Sequence, residues 1–480
     1  MKGVWLGIKK TVCGMLALAA VMLCGCSGGN TPLGASSYAP TADALSNDTE
    51  TEQMNISAEP AAVKLETPVL RYLGSYDLGA DDSVEAARAM YLSTYAGEYF
   101  DKSTGRYFFP ESGESVIISE YVSEQRVNDE LSARIQSDDS PDLVDVRAES
   151  FPGMISRNLY EDISAYMNMS APQWAQLDGI IGEYAAGAKR FYYPWRYEAA
   201  PQRLYYNRTL FEQYGIPDPA EQWAAGEWTW DALLSAVDTF TEAVEGSVGI
   251  CGDAPETGFM LSVGVPVIGR EEDGKFVSNI GSESAVRAVG WICDNLRTRG
   301  LVTSACEGYD KDSAMPAATG LAAFRAADSS EFTRYCRNYA EYDMWNVPYP
   351  ADPEAGGAVY SVKTFGYLVP NGAKNIAGAC CFINCCRLTE GAEPSQAEKT
   401  RVMKSLCYTA EEYEYMRQFS HAESFSVIVD HTADDPAAAD AFAALLSELS
   451  ENTEVTWQEL SARDAAVFGH AAADLSAMLE

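Results

Sequence analysis

The chain has 480 residues, of which 47% are hydrophobic and 11% aromatic, a composition that is typical of ordered globular proteins and excludes an intrinsically disordered chain. The formal net charge of −36 at pH 7 repels nucleic acid and anionic lipid headgroups, so neither is an expected partner. This length is sufficient for two domains, each with a sizeable core.

The N-terminus has the pattern of a bacterial export signal. Three lysines flank the start of an apolar run over 12–23. About twelve apolar residues are too few to span a bilayer as a permanent helix. The run ends at Leu23-Cys24-Gly25-Cys26, which resembles the lipid-attachment site of bacterial lipoproteins. We therefore predict a signal peptide over 1–25 and lipidation at Cys26; the alternative is an ordinary cleaved signal with a chance cysteine.

Residues 26–64 are predicted to form a lipidated flexible tether, because they are rich in small and polar residues and contain almost no large apolar side chains. A flexible chain of about 38 residues has a root-mean-square reach of roughly 35 Å. Beyond Cys26 no apolar run approaches the roughly 18 residues that a membrane span requires. The lipid would then be the only membrane anchor, at the outer face of a bacterial cell membrane.

The next segment alternates strands with helices. The predicted strands cover 69–73, 116–118 and 142–146. Asp82 and Glu85 are spaced as a capping box at the start of the first helix, and a second helix is expected over 123–137. This alternation predicts a parallel sheet with covering helices. Ligands of such sheets bind beyond the carboxyl ends of the strands, here 74–77 and 147–150.

A second unit begins after Asn207. Thr209 is expected to cap a short helix that Gly215 ends, and Thr229 is expected to cap a longer one. Another helix is predicted over 282–299. Further strands are predicted near 321–324, 343–347 and 365–369.

Nine cysteines follow Cys26, and an odd number cannot all pair within the chain. Four of them lie in one predicted helix over 380–386. At ~100° per residue their sulfurs point across more than half of the helix circumference, so they cannot converge on one tetrahedral metal ion. We interpret them as small buried apolar side chains, and we expect no metal.

Catalytic motifs are scarce. His421, His431 and His470 have no metal-ligand spacing. Residues 269–275 match the start of a phosphate-binding loop, but Phe276 replaces the required Ser or Thr, and three carboxylates would repel phosphate. This segment is better explained as a hairpin that turns at its Asp-Gly pair. We expect no cofactor and no enzymatic activity.

Aromatic residues are concentrated over 191–197, where five of seven positions carry a ring. Sugars present C–H faces that stack on aromatic rings, and hydroxyls that hydrogen-bond to charged side chains. Trp195 and Arg196 follow a proline and are expected in a loop, with Glu198 and Arg203 nearby. The alternative is that most of these rings fill the seam between two lobes.

Several segments resemble one family, the bacterial extracellular solute-binding proteins of the family 1 type, which are the lipoprotein receptors of ABC importers. Residues 204–211, Leu-Tyr-Tyr-Asn-Arg-Thr-Leu-Phe, are similar to the family's L-Y-Y-N-K-D-L-F stretch. Further matches occur in the family's order at 141–144, 215–217, 229–233, 273–277, 320–324, 365–370 and 379–383.

The resemblance implies an α/β, two-lobe fold of the type II periplasmic-binding-protein kind, with a hinged cleft. Crossings between the lobes are expected near 203–207, 360–366 and 425–435. Lobe 1 would hold 65–202 plus about 366–430, and lobe 2 would hold 203–365 plus about 431–480.

The resemblance also implies which residues contact the ligand. By position in the family pattern these are Tyr76, Glu149, Trp195, Arg196, Glu198, Phe324, Arg325, Tyr360 and Trp457. Trp230, in contrast, resembles a packing residue at a helix start.

The expected function is that of a monomeric, lipid-anchored extracellular receptor that captures a sugar or oligosaccharide and delivers it to the permease subunits of an ABC transporter. Two alternatives remain open at this point. One is a surface lipoprotein that hydrolyses glycans with a pair of carboxylates about 5–10 Å apart. The other is a glycan adhesin or sensor component without a transport role.

Overall fold

The computed structural model describes residues 65–97, 100–102, 106–107, 115–123, 126–145, 151–252, 254–309, 313–354, 358–390, 394, 396–420 and 425–479. The predicted signal peptide, the tether and Cys26 lie outside these ranges. Within them, no helix has the length and apolar character needed to cross a membrane.

The strands of the described residues are numbered in chain order. They are β1 (Leu70–Gly74), β2 (Phe100–Asp101), β3 (Arg106–Tyr107), β4 (Ile117–Tyr121), β5 (Leu143–Asp145), β6 (Ala185–Ala186), β7 (Lys189–Arg190), β8 (Arg196–Ala199), β9 (Gln202–Asn207), β10 (Val248–Gly252), β11 (Ile268–Arg270), β12 (Phe276–Ser278), β13 (Val302–Thr303), β14 (Ala322–Asp328), β15 (Met344–Pro348), β16 (Val359–Phe365), β17 (Tyr367–Leu368) and β18 (Ser426–Ile428).

The α-helices are numbered in the same way. They are α1 (Glu85–Tyr95), α2 (Val127–Gln136), α3 (Gly153–Ser156), α4 (Pro172–Ala175), α5 (Asp178–Glu183), α6 (Arg208–Gln213), α7 (Pro219–Ala224), α8 (Trp230–Ala243), α9 (Pro255–Ser262), α10 (Glu283–Ile292), α11 (Met315–Thr319), α12 (Glu331–Asn338), α13 (Ile376–Glu390), α14 (Gln396–Leu406), α15 (Ala410–Arg417), α16 (Pro436–Glu451) and α17 (Trp457–Ala477).

The first sheet has the strand order β17-β5-β1-β4. β1 is parallel to both β4 and β5, with Tyr72 opposite Ser119 on one side and Leu143 on the other. This confirms the predicted parallel sheet. β17 joins its edge antiparallel to β5, so a strand from late in the chain completes a sheet that is built mostly from the N-terminal part.

The second sheet has the order β13-β10-β14-β9-β15. β10 runs parallel to β13 and β14, whereas β9 is antiparallel to β14 and β15. Residues 203–207, where we predicted the first crossing, lie inside β9 and therefore inside this sheet. β8 precedes β9 directly in the chain.

Helix starts depend on which side chain can reach a free backbone N–H. Thr229 caps α8 as predicted, since its hydroxyl accepts from the N–H of Ala232 at 3.4 Å. The prediction of Thr209 as a cap was wrong, because α6 begins two residues earlier, at Arg208, and the side chain of Asn207 caps it.

The predicted capping box at the start of α1 was also wrong. A short 3-10 turn, Asp82–Val84, precedes α1, and the residue before the helix is Val84, which has no side-chain cap. The carboxylate of Asp81 binds the N–H and the hydroxyl of Ser83 at 2.9 Å and 2.8 Å instead.

The four-cysteine segment lies in α13, and Cys380, Cys381, Cys385 and Cys386 are all buried. Their burial confirms the interpretation as small core side chains. Among the described residues, no group of three or more His, Cys, Asp or Glu side chains could hold a metal ion. Burial raises the pKa of the Cys386 thiol well above its usual range, which keeps this thiol neutral.

Residues 268–278 form the predicted hairpin. β11 and β12 are antiparallel, with Gly269 opposite Val277, and the turn places Gly274 at a φ of 87°. The guanidinium of Arg270 donates to the backbone carbonyls of Gly182 and Glu183 at 2.7 Å and 2.8 Å. The hairpin is thereby fixed to the end of α5.

His431 lies in the same contact region and is almost completely buried, at 1% exposure. Its Nδ1 is 2.7 Å from Asp434 Oδ2, and its Nε2 is 3.2 Å from Glu183 Oε2. Burial alone would lower the pKa of the imidazole, but the two carboxylates outweigh it and raise the pKa from 6.5 to about 9. The carboxyl of Asp430 is buried beside it, and burial raises its pKa.

We expect His431 to make the stability of the fold pH-dependent. Because its pKa is higher in the folded than in the unfolded chain, its contribution is complete below pH 6.5 and is lost as the pH rises through about 9. The contribution should reach at most about 3 kcal/mol. Urea unfolding of the wild type and of His431→Gln at pH 6 and pH 10 would measure it.

The difference between the two proteins isolates His431, since other groups titrate equally in both. His470→Gln, at an exposed position of α17, is the matched control and should behave as the wild type does. An equal difference between the wild type and His431→Gln at pH 6 and pH 10 would contradict this assignment.

Candidate functional site

The two large sheets are connected by a small three-stranded sheet, β8, β16 and β18, which we call the crossing sheet. β16 pairs antiparallel with β8, so that Phe365 lies opposite Arg196 and Lys363 opposite Glu198. β16 also pairs parallel with β18. One end of β16 leads into β17 of the first sheet, and the other end lies near the start of β9 of the second sheet.

Trp195 and Arg196 lie at the start of β8, where the chain enters the crossing sheet. The N–H of Trp195 donates to the carbonyl of Phe365 at 3.0 Å, which fixes the entry to the crossing sheet. The Arg196 guanidinium carbon lies 4.0 Å from the centroid of the Phe365 ring and 5.4 Å from that of Trp195. Arg196 begins β8, so its predicted loop position was wrong; Trp195 lies in the bend before the strand.

Arg196 is half-buried; its Nε atom is shielded from solvent and has no hydrogen-bond partner among the described residues. A guanidinium that stacks on a ring keeps its in-plane N–H groups available for acceptors at its edge. Sugar hydroxyls and other neutral oxygen acceptors suit this arrangement.

Glu198 is held by an ion pair. Its Oε1 accepts from Nη2 of Arg203 at 2.8 Å, and the Arg203 side chain is completely buried. The Glu198 side chain keeps a fifth of its surface exposed. One carboxylate oxygen is therefore engaged within the protein, and the other can accept from a ligand.

The carboxyl ends of β1, β4 and β5 meet at one edge of the first sheet, as parallel strands require. The loop after β1 places Tyr76 half-buried at this edge, with its hydroxyl 3.1 Å from that of Tyr367 in β17. Burial, and then Tyr367 and Asp145, raise the pKa of Tyr76, so the phenol stays protonated.

Tyr121 ends β4 at the same edge and is 67% exposed, which is unusual for a large aromatic side chain. Partial desolvation, followed by the carboxylate of Asp77, raises the pKa of Tyr121. We did not predict this residue from the sequence. Its position at the carboxyl end of a strand in a parallel sheet could have identified it.

Four of the predicted contact residues lie in the second part of the chain, and two of them are core residues. Phe324 is fully buried, with its ring centroid 5.2 Å from that of Phe211. Trp457 is 2% exposed, and its Nε1 donates to the carbonyl of Ile280 at 3.0 Å. Neither ring offers a face to a ligand in this structure.

Arg325 and Tyr360 are also buried; Arg325 lies in β14 of the second sheet, and Tyr360 lies in β16 of the crossing sheet. Arg325 is opposite Cys251 in the register of β14 with β10. The hydroxyl of Tyr360, in β16, accepts from Nε1 of Trp223 at 2.9 Å. Glu149 lies outside the described residues. The predicted packing role of Trp230 is confirmed, since it is 3% exposed with its ring 5.3 Å from that of Trp291.

A small depression, part of it open to solvent, lies beside the crossing sheet. It is too small to hold a whole sugar in this structure. It is lined by Ala200, Gln202, Gly258, Leu261, Ser262, Tyr349, Val359, Tyr360 and Ser361. Hydroxyl and amide groups thus alternate with apolar side chains here.

Comparison with solved structures identifies relatives of the same fold. The ABC substrate-binding protein Lmo0181 from Listeria monocytogenes, in complex with cycloalternan, has a TM-score of 0.55 at 13% identity, covering 84% of this chain and 98% of that chain. The cyclic α-maltosyl-1,6-maltose binding protein from Arthrobacter globiformis has a TM-score of 0.57 at 14% identity, covering 85% of this chain and 98% of that chain.

A maltotriose binding protein from Thermus thermophilus, bound with maltotriose, has a TM-score of 0.50 at 16% identity, covering 84% of this chain and 99% of that chain. At these identities the likeness shows the fold alone, which is the expected two-lobe α/β architecture. No curated protein matches the chain.

Residues 119–393, more than half of the chain, match the family described as bacterial extracellular solute-binding protein. The matched range includes the end of β4, all of β5, the crossing strands β8 and β16, and the whole second sheet. The chain belongs to the bacterial extracellular solute-binding protein family.

Proposed function

We propose that this protein captures a sugar or oligosaccharide between its two lobes outside the cell and delivers it to the permease subunits of an ABC transporter. No bond of the ligand is broken in this function. Binding free energy favours a closed arrangement of the lobes, which the permease would recognise. The relatives bound to cycloalternan and maltotriose support the carbohydrate class.

The observation that carries the proposal is the half-buried guanidinium of Arg196, whose carbon lies 4.0 Å from the centroid of the Phe365 ring and 5.4 Å from that of Trp195. Such a group combines an apolar ring environment with directed donors, which is the combination that a polyhydroxylated ring requires. The exposed ring of Tyr121 adds a face on which such a ligand can stack.

We place the lobes on either side of the crossing sheet. Lobe 1 would comprise 65–202 plus about 366–430, and lobe 2 would comprise 203–365 plus about 431–480. The first sheet, with β17 added late, and the second sheet fit this division. The segments that bend on closure would be 199–202, 359–365 and 426–431.

The proposed ligand contacts are grouped around the crossing sheet and the nearby edge of the first sheet. They are Tyr76, Tyr121, Glu149, Trp195, Arg196, Glu198 and Tyr360. Trp195 and Tyr360 are also buried, at 7% and 4% exposure, but they lie in or directly before strands of the crossing sheet; Phe324, Arg325 and Trp457 are buried outside that sheet and are left out.

We further propose that the chain is exported by its signal peptide over 1–25, lipidated at Cys26 and held at the outer face of the cell membrane by the 26–64 tether. The folded part would act as a monomer. Labelling of growing cells with an alkyne fatty acid should modify the wild type and not Cys26→Ala; equal labelling of both would contradict the anchor.

Isothermal titration calorimetry would test the proposed ligand class. The probes are linear and cyclic α-linked gluco-oligosaccharides and β-linked xylo-oligosaccharides, with amino acids, peptides and polyamines as the comparison set. We expect saturable binding of a member of the carbohydrate set, which chromatography recovers unchanged. Binding only in the comparison set would overturn the carbohydrate assignment, and hydrolysis of the bound glycan would overturn the non-catalytic one.

A further inference from the structure

Cys251 and Cys306 lie close together at one side of the second sheet. Cys251 is in β10, opposite Thr303 of β13 in a parallel register. Cys306 follows Thr303 by three residues, through a turn in which the hydroxyl of Thr303 donates to the carbonyl of Ala305 at 2.7 Å. The Cys306 thiol donates to the carbonyl of Leu321 at 4.0 Å, and the Cys251 thiol lies close enough to Cys306 for each to shift the pKa of the other.

We propose that Cys251 and Cys306 form an intramolecular disulfide in the exported protein. Proteins that work outside the cytoplasm meet oxidising conditions in which adjacent thiols pair. The bond would connect neighbouring segments of one sheet, and its formation would replace the contact of Cys306 with the Leu321 carbonyl by a covalent S–S bond. It is independent of the ligand proposed above.

The surroundings of the pair determine which sulfur reacts first. Cys306 is half-buried, whereas Cys251 is only 2% exposed, so a reagent in solution reaches Cys306. The neighbouring Cys251 thiol lowers the pKa of the Cys306 thiol, which increases its thiolate fraction. Arg325, opposite Cys251 in β14, supplies a positive charge beside the pair.

The reaction is a thiol–disulfide exchange with a small-molecule disulfide as the oxidant. The Cys306 thiolate attacks one sulfur of oxidised glutathione, which forms a mixed disulfide and releases one glutathione thiolate. Cys251 then loses its proton to solvent and attacks the Cys306 sulfur, which releases the second glutathione. The protein loses two electrons and two protons, and both electrons reduce the oxidant.

Five of the other cysteines have surroundings that differ from those of the Cys251–Cys306 pair. Cys380, Cys381, Cys385 and Cys386 are buried along α13. The sulfur of Cys336 donates to Glu412 Oε1 at 3.5 Å.

Peptide mapping of the full-length protein gives a clear test. Trypsin places Cys251 in the peptide 209–270 and Cys306 in the peptide 300–311, and each peptide contains a single cysteine. The protein is incubated with oxidised glutathione, and its remaining thiols are alkylated under denaturing conditions. After digestion with trypsin, the peptide masses are measured by mass spectrometry. We expect the two peptides to be linked, and to separate after reduction with dithiothreitol.

Thermal unfolding supplies a second measurement. The disulfide would close the loop 251–306, so oxidised wild-type protein should unfold at least about 2 °C above the reduced form. Cys306→Ala, at a half-buried position, should lose this difference, and Cys336→Ala should keep it. As a control, the same oxidation should cross-link cysteines of the urea-unfolded chain. If it does so while both peptides of the folded protein are recovered alkylated and unlinked, the proposal is overturned. A link from Cys306 to another cysteine would also overturn it.

Discussion

Replacing Arg203 by leucine is expected to lower the free energy of unfolding by about 3–5 kcal/mol. Arg203 is fully buried; its Nε donates to the carbonyl of Ala200 at 2.9 Å, and its Nη2 pairs with Glu198 at 2.8 Å. The guanidinium also lies 3.7 Å from the centroid of the Phe419 ring. The substitution removes these contacts and leaves a carboxylate in the crossing sheet without its partner.

Urea unfolding followed by tryptophan fluorescence would measure this effect. The matched control is Arg299→Leu, which removes the pair with Asp238, where the two side chains are 46% and 39% exposed. Exposed pairs contribute less than about 1 kcal/mol. If Arg203→Leu lowers the free energy of unfolding no more than Arg299→Leu does, the buried pair does not hold the crossing sheet together.

Replacing Arg196 by alanine is expected to weaken carbohydrate binding by about 10- to 100-fold, which corresponds to the loss of about 1.5–3 kcal/mol from hydrogen bonds to a charged donor. The substitution leaves the rings of Trp195 and Phe365 in place and removes only the donors beside them. Arg196→Lys should recover part of the affinity, since it restores the charge but not the planar pair of donors.

Calorimetry with the oligosaccharide that binds the wild type would measure the change. Arg463→Ala is the control, because Arg463 lies on α17, is about half exposed and pairs with Glu448 and Asp464. Its dissociation constant should equal that of the wild type. An unchanged dissociation constant for Arg196→Ala would place the ligand elsewhere.

Periodicity and motif order were sufficient to predict the architecture. Alternation of apolar runs located β1, β4 and β5 to within a few residues, and their parallel pairing followed from the helices between them. The turn at Gly274 predicted a hairpin, because its positive φ suits a residue without a side chain. These features are local, so the sequence contains the information that determines them.

The boundary between the crossing sheet and the second sheet was harder to predict, because their strands β8 and β9 follow each other directly. Only the pairing of 202–205 with β14 and of 203–207 with β15 distinguishes β9 from β8. Such pairing joins segments more than a hundred residues apart, and no local pattern encodes it.

The candidate site also combines features that local sequence predicts with features that depend on distant segments. Arg196 was predicted from a cluster of rings, and the structure adds Phe365 from a distant strand as its stacking partner. Phe324 and Trp457 were assigned by position in a family pattern, which does not distinguish a core ring from a cleft ring. Tyr121 was missed because exposure of a strand-end ring depends on what the neighbouring loops leave uncovered.

Hydrogen–deuterium exchange of the full chain, with and without the oligosaccharide that saturates it, tests the central claim most directly. A ligand enclosed at the crossing should slow exchange in the segments 193–202 and 358–366 and in the loop after β1, while α14 and the outer face of α17 stay unchanged. Saturating ligand without protection of the 193–202 and 358–366 segments would contradict the account.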